Sequence, residues 1–421
     1  MTGLTRSTRF FARLLEDHLV VVDRARLELR VLNPSAAVLW LLLDEGWQDA
    51  GTLVAALTAL APAADGNLAD AVDGSLREWS GLGWLDSVEG RVRLTRGQAP
   101  PVDPLRGRAE SHPAEAPLPP HRVVSELGLR LGSRVCKVLF CETGEPGFPE
   151  VVPRLRALLS GLAASGPAAN GCELRFLNAG ARCWVAGLQP TVSTAEESLA
   201  VSLLITRIFR YLYQQEGQFA YVHGASAAAE AGALLLPGRS GAGKSTLAAY
   251  LAATGWTYLG DDVVGVAREE SAGRFRVLPF PTAVGVKAGA WAILRRHYPH
   301  LAALPELSYA GRRARFLTLP RPEGASWPRH PLRAVVLPRF GEDQAARLLP
   351  VNAVTALCEL VEAGLTTVDP ADAGQIDCLL DMLETVPCYR LSYAQLEDAA
   401  ALLRCSLARC IQENGLTTAS A

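Results

Sequence analysis

The chain has 421 residues and a formal net charge of −2, with nearly half of its residues hydrophobic and a fifth charged. That length provides for two or three separate cores, and the composition belongs to a globular chain, not a disordered one. The near-neutral balance argues against wholesale binding to nucleic acid or an anionic membrane. No apolar run reaches the length of a membrane span, and the start Met1-Thr-Gly-Leu-Thr-Arg6 lacks the apolar centre of a signal peptide. Nine cysteines, odd in number and scattered, form neither a Cys-x-x-Cys pair nor a cluster with histidines. They predict reduced thiols in a cytoplasmic protein, not a disulfide framework or a zinc site.

Residues 1–98 read as a small module. Two strand-like runs, Leu19–Val22 and Leu27–Val31, are separated by the turn-prone Asp23-Arg-Ala. Asn33 then stands as an N-cap with Pro34 at the first helical position, and the apolar helix through Ala37–Leu43 stops at Gly46. Thr52 is the expected cap of a second helix, Leu53–Leu60. A third carries Val72, Leu76 and Trp79 at helical spacing, and a hairpin follows around Glu89-Gly90.

The run Leu32-Asn33-Pro34-Ser35-Ala36-Ala37, Asp44-Glu-Gly46, the leucines Leu53, Leu57 and Leu76, and Gly83-Trp84-Leu85 resemble the PqqD-like precursor-recognition domains of ribosomal-peptide modification systems. The resemblance implies a winged-helix-like module in which a leader peptide adds as a strand to an open sheet edge, near Val20–Val31 and the third helix. Winged helices also bind DNA. Here the second and third helices set Asp49, Asp65, Asp70, Asp73 and Glu78 against Arg77, so no nucleic-acid partner is expected.

Residues 99–120 are rich in proline and predict a semi-extended linker. From 121 to 217, strand-like runs (Leu127–Leu131, Val135–Phe140, Glu173–Leu177, Cys183–Leu188) are interrupted by a helix from Val151 to Leu162. Ser193-Thr-Ala-Glu196 reads as a capping box opening a helix that ends near Gly217. This stretch is predicted to be an α+β supporting domain without chemistry of its own.

Residues 218–421 carry the chemistry. Gly238-Arg-Ser240-Gly241-Ala242-Gly243-Lys244-Ser245-Thr246 follows the apolar run Ala233–Pro237 and precedes Leu247-Ala-Ala-Tyr-Leu251. A strand, a glycine-rich turn and a helix in that order make G-x-x-x-x-G-K-[ST] a polyphosphate cradle. Its backbone N–H groups, together with the positive end of the helix, face the anion. Lys244, one of three lysines, is expected to reach the β- and γ-phosphates, and the Ser245 hydroxyl to hold Mg²⁺. After the cradle helix, Trp256-Thr-Tyr-Leu-Gly260 leads into Asp261-Asp262. If that strand runs parallel to the cradle strand, its end lies on the same sheet edge and two carboxylates flank the γ-phosphate.

His223-Gly224, the cradle, Gly255-Trp256 and Asp261-Asp262 together resemble the core of bacterial HPr serine kinases, and more closely the HPr-kinase-related proteins found beside PqqD-like chaperones. Phe280-Pro-Thr, Gly285-Val-Lys287, Val335–Phe340 and Tyr389–Glu397 extend the likeness loosely. The resemblance implies an α/β P-loop kinase domain using ATP and Mg²⁺. It makes Asp261 the general base, Asp262 a metal ligand paired with His223, Ser245 a metal ligand, and Lys244 the stabiliser of the transferring group. A second cation is expected at the γ-phosphate, with Lys287 and Arg339 as candidates. The glycine-rich signature loop of HPr kinases is missing after the Asp-Asp strand, and Pro279–Lys287 stands in its place, which argues against HPr itself as substrate.

The combined expectation is a multidomain α/β and α+β protein. It phosphorylates a Ser or Thr hydroxyl of a ribosomally made precursor peptide, uses no membrane or nucleic-acid partner, and admits a homo-oligomer. The alternatives are a nucleotide-gated peptide chaperone and an ATP-driven activation of the peptide or nucleotidyl transfer to it.

Overall fold

The computed structural model describes residues 9–26, 28–60, 67–96, 114–164, 171–213, 217–269, 273–309, 312–320, 330–369 and 372–413. The chain is a mixed α/β protein with several sheets. It divides into two compact units: Met1–Gly107 with Ala353–Cys358 and Asp369–Glu384, and Arg108–Asn352 with Glu359–Val368 and Thr385–Ala421. Most of the expected linker, and Leu27 in the second predicted strand, lie outside the described residues. No helix among the described residues is long and apolar enough to cross a membrane.

The first unit opens with a strand where Arg6, Arg9 and Arg13 among apolar residues suggest only a solvated strand or helix edge, and it is mostly buried. Phe10–Leu15, His18–Asp23 and Glu28–Leu32 form an antiparallel sheet in that order. The first strand is hard to recognise because its run includes Arg13 and follows Arg9, whose partners are remote in sequence. Arg13 reaches Asp377 (3.1 Å), Asp381 (2.8 Å) and Glu384 (2.8 Å). Arg9 is buried in a two-pronged bond to Asp23, at 3.0 and 2.6 Å. The indole N–H of Trp84 donates to the same carboxylate at 3.0 Å, and Arg9 also donates to the Gly83 carbonyl at 2.6 Å.

Asn33 caps the helix Pro34–Glu45 as expected, accepting from the Ala36 N–H at 2.9 Å. The second helix, Ala50–Leu60, starts earlier than predicted. Asp49 takes the capping role expected of Thr52, accepting both the Thr52 N–H (2.9 Å) and its hydroxyl (2.8 Å). The third helix, Leu68–Gly81, buries Val72 and Trp79. Leu85–Val88 and Arg91–Leu94 then form the hairpin, with Glu89 and Gly90 both at positive φ (50° and 77°), which suits the right-handed twist of paired strands. Phe10, Trp40, Trp79 and Trp84 fill the core, with Phe10 edge-on to both Trp40 and Trp84.

In the second unit a six-stranded sheet contains Arg122–Leu131, Arg134–Glu142, Cys172–Ala179, Arg182–Gly187 and Gln189–Thr194. Its core includes the helices Val151–Leu159 and Glu197–Leu212. The same core takes in Phe280, Ala283 and Phe316, so residues on both sides of position 218 share it. The predicted capping box is not formed. Ser193 and Thr194 belong to a strand paired with Trp184 and Cys183, and the helix begins at Glu197 without a side-chain cap and ends at Leu212. Ladder pairing has claimed the backbone that the box needed.

The larger sheet places strands in the order Thr257–Gly260, Gly224–Ala229, Gly232–Pro237, His330–Phe340, with Cys388–Tyr393 beyond. The strand before the two aspartates therefore runs in the same direction as the cradle strand, but Gly224–Ala229 lies between them, antiparallel to both. His330–Phe340 is parallel to the cradle strand, and Cys388–Tyr393 is parallel to His330–Phe340. The C-terminal ends of four strands thus open on one edge, where open α/β sheets bind ligands.

The buried ion pair of the first unit is its most exposed dependency. Asp23→Asn leaves the Arg9 guanidinium buried without its carboxylate, and should destabilise the unit by about 3–5 kcal/mol. Hydrogen exchange of the full chain should then show lost protection across the three N-terminal strands. Unchanged protection would mean that the pair is not what holds them.

Candidate functional site

The cradle follows the buried strand Gly232–Pro237, and its helix starts at Lys244. Gly238, Gly241 and Gly243 have φ of 147°, 95° and 95°, a region that side-chain-bearing residues rarely enter. Gly243 also lacks room: a Cβ there would collide with the Tyr393 hydroxyl and sit 3.1 Å from the Phe340 Cβ. The Lys244 side chain, 5% exposed with its residue, folds back over the loop and donates to the Gly238 carbonyl (2.6 Å) and the Arg239 carbonyl (3.1 Å). Burial pushes its ammonium down from the usual lysine range, and Asp261 and Asp262 oppose that shift. Lys287 bonds the Ser240 hydroxyl at 2.7 Å, which brings a second cation to the loop.

Asp261 is 2% exposed, and one of its carboxylate oxygens is buried without a hydrogen-bond partner. The Ser245 hydroxyl lies close enough to its carboxyl to favour the charged form. Burial, reinforced by the charge of Asp262, raises its pKa to about 7, against the lowering effects of Ser245 and Lys244. A buried carboxylate oxygen without a partner, beside the hydroxyl of a P-loop serine, fits a hard divalent cation such as Mg²⁺. Loop, lysine and carboxylate together fit the polyphosphate that such a cation accompanies.

Asp262 is held differently. The Val263 N–H donates to the Asp261 carbonyl at 2.9 Å, closing a three-residue turn with Asp262 at its centre and φ at +67°. That γ-turn form is rare and strained, and strain of this kind persists where the surroundings enforce it. The enforcing contacts come from Phe280–Thr282. The Phe280 N–H donates to the Leu259 carbonyl (2.6 Å), the Thr282 hydroxyl to the Asp261 carbonyl (2.9 Å), and the Tyr258 hydroxyl to the Thr282 carbonyl (2.8 Å). His223 bonds the Asp262 carbonyl at 2.9 Å through Nδ1, and that nitrogen is 4.0 Å from the Asp262 carboxylate. Burial and the charge of Lys244 lower the pKa of His223, which favours the neutral ring.

The structure thus gathers His223, Ser240, Lys244, Ser245, Asp261, Asp262 and Lys287 around one loop. Arg339 is engaged elsewhere, bonded to Glu359 at 3.1 Å. Thr282, Tyr258 and Tyr393 also belong to the site. In the sequence Phe280-Pro-Thr carries only a family likeness, and nothing local connects it to Asp261.

Asp261 carries a pH signature. Its folded pKa of about 7 lies above the ordinary 3.8, so the folded state keeps a proton that the unfolded state has released. The resulting stabilisation is complete below about pH 4 and disappears as pH rises through about 7. In thermal unfolding with metal chelated, the Tm of Asp261→Asn minus that of the wild type should rise from pH 4 to pH 7 and level off above. A flat difference would show that the carboxyl is not perturbed.

No protein-family model matches the chain, and no curated protein matches it. Among solved structures it is similar to the HPr(Ser) kinase/phosphatase from Coxiella burnetii, with 11% identity and a TM-score of 0.23, over 47% of this chain and 99% of that one. At that score the likeness decides nothing about chemistry, which rests on the residues above.

Proposed function

We propose that the chain is an ATP- and Mg²⁺-dependent kinase that phosphorylates a serine or threonine hydroxyl of a ribosomally made precursor peptide, whose leader is held by residues 1–98. The observation that carries the kinase reading is the pair of unlike carboxylates beside the cradle. Asp261 is buried near Ser245, and Asp262, its side chain 19% exposed, sits at a strained γ-turn next to His223. A loop that only binds nucleotide as a gate needs the first carboxylate but not the second.

This geometry favours dividing the roles the other way round from the sequence expectation. Asp261, with Ser245, is suited to hold Mg²⁺, because it is enclosed and has an oxygen without a hydrogen-bond partner. Asp262 is suited to accept the proton of the attacking hydroxyl, with neutral His223 steadying the turn through its bond to the Asp262 carbonyl. A Mg²⁺ held by Asp261 and Ser245 would supply charge neutralisation at the phosphates. The peptide oxygen forms a bond to the γ-phosphorus as the bond to the β–γ bridging oxygen breaks, leaving ADP, and the hydroxyl proton passes to Asp262. Lys244 and Lys287 compensate negative charge at the cradle. The leader reading is supported by the edge position of Glu28–Leu32, which pairs on one side only among the described strands.

Incubation with Mg·ATP and the peptide encoded beside the gene should add one phosphate to the peptide's mass. ATP turnover without that gain would identify a nucleotide gate instead. Asp262→Asn should lower kcat by about 10²–10⁴-fold with nucleotide affinity kept, as for loss of a general base. Asp261→Asn should instead raise the Mg²⁺ concentration needed. If Asp262→Asn transfers normally and Asp261→Asn fails at saturating Mg²⁺, the base is Asp261. A peptide with a scrambled leader should show a higher KM at unchanged kcat, and an equal KM would remove the leader from the mechanism.

A further inference from the structure

The cradle has two flanks, and the chemistry occupies one of them. Asp261 and Asp262 follow the strand Thr257–Gly260, and His223 precedes Gly224–Ala229, both on one side of the cradle strand. The reacting end of a polyphosphate therefore faces that side. Whatever is attached to its other end leaves toward the opposite flank, where His330–Phe340 and Cys388–Tyr393 end.

At that flank stands Phe340. The strand residues Leu332 and Ala334–Pro338 are buried, yet Phe340 is 45% exposed although it is large and aromatic. It is fastened to the loop: its N–H donates to the Ala242 carbonyl at 3.3 Å, and its Cβ lies where a Cβ on Gly243 would be 3.1 Å away. Its ring is edge-on to Tyr393, with centroids 5.8 Å apart, and the Tyr393 hydroxyl donates to the Gly243 carbonyl at 3.3 Å. The Gly341 N–H closes the corner on the Tyr393 carbonyl at 3.1 Å. Tyr393 is fully buried beside the Phe340 ring, and the backbone and Cβ of Phe340 stand against the cradle loop at Ala242 and Gly243.

We infer that Phe340 is the platform on which the base of the donor nucleotide stacks. This rests on the cradle reading and extends it from phosphate to base. An aromatic face accepts any base by stacking, so the platform distinguishes nucleotide from bare polyphosphate without choosing among bases. A residue that merely supported the loop would be equally important for every ligand the loop holds.

That difference is the test. Calorimetric titration of the full chain with Mg·ATP and with Mg·tripolyphosphate compares ligands that share the cradle but not the base. Phe340→Leu keeps a branched apolar side chain against Gly243 and removes the ring face. It should weaken ATP binding by about 5- to 100-fold while tripolyphosphate binding stays unchanged, and Phe340→Tyr should restore the wild-type ATP affinity. Equal weakening of both ligands would reduce Phe340 to a loop support and overturn the inference. Undiminished ATP binding would overturn it as well. If the wild type binds neither ligand, the failure belongs to the cradle reading itself.

Discussion

The geometry of the site depends on one close approach of backbone to backbone. At Gly260 a Cβ would lie 2.6 Å from the Phe280 carbonyl oxygen, so only glycine lets Phe280–Thr282 lie against the end of the carboxylate strand. From that position the segment fixes the Asp261 carbonyl through Thr282 and leaves Asp262 in its positive-φ turn. The unlike settings of two adjacent carboxylates, one enclosed and one partly exposed, follow from this clamp. Adjacent side chains on an ordinary strand also alternate, but nothing then forces one to stay buried as an acid with a pKa near 7.

The clamp is itself held from behind. The Ala283 N–H donates to the Leu158 carbonyl at 2.7 Å, the Tyr213 hydroxyl donates to the Pro279 carbonyl, and Gly161 has no space for a side chain beside Pro281. Phe280 packs edge-on against Phe209, with centroids 4.9 Å apart, inside the core of the six-stranded sheet. The stretch without chemistry of its own thus has a mechanical part in the site. Its helices, Val151–Leu159 and Glu197–Leu212, anchor the segment that orients Asp261. In a well-packed interior such positioning is stiff, because a small displacement has no void to move into.

Much of this was legible from local sequence. Cradle, hairpin turns and helix starts are short-range objects: Gly238, Gly241 and Gly243 supply backbone angles that other residues resist, and Asn33-Pro34 sets a helix start without outside help. The strand Phe10–Leu15 was not legible, because Arg13 within it is satisfied by carboxylates far along the chain. Thr52 lost its cap to Asp49, and Ser193 was drawn into a ladder, in both cases because neighbouring residues competed for the same backbone groups.

By itself, then, the sequence determined that a polyphosphate cradle opens a helix and that two carboxylates follow it, since both are written in residues next to one another. Only the tertiary structure decided which carboxylate is enclosed and which is partly exposed, and that an exposed aromatic residue stands against the cradle loop. Those features arise where Gly260 meets Phe280 and where Gly243 meets Phe340 and Tyr393. Such contacts join segments separated in the chain, and no local pattern of residue types records them.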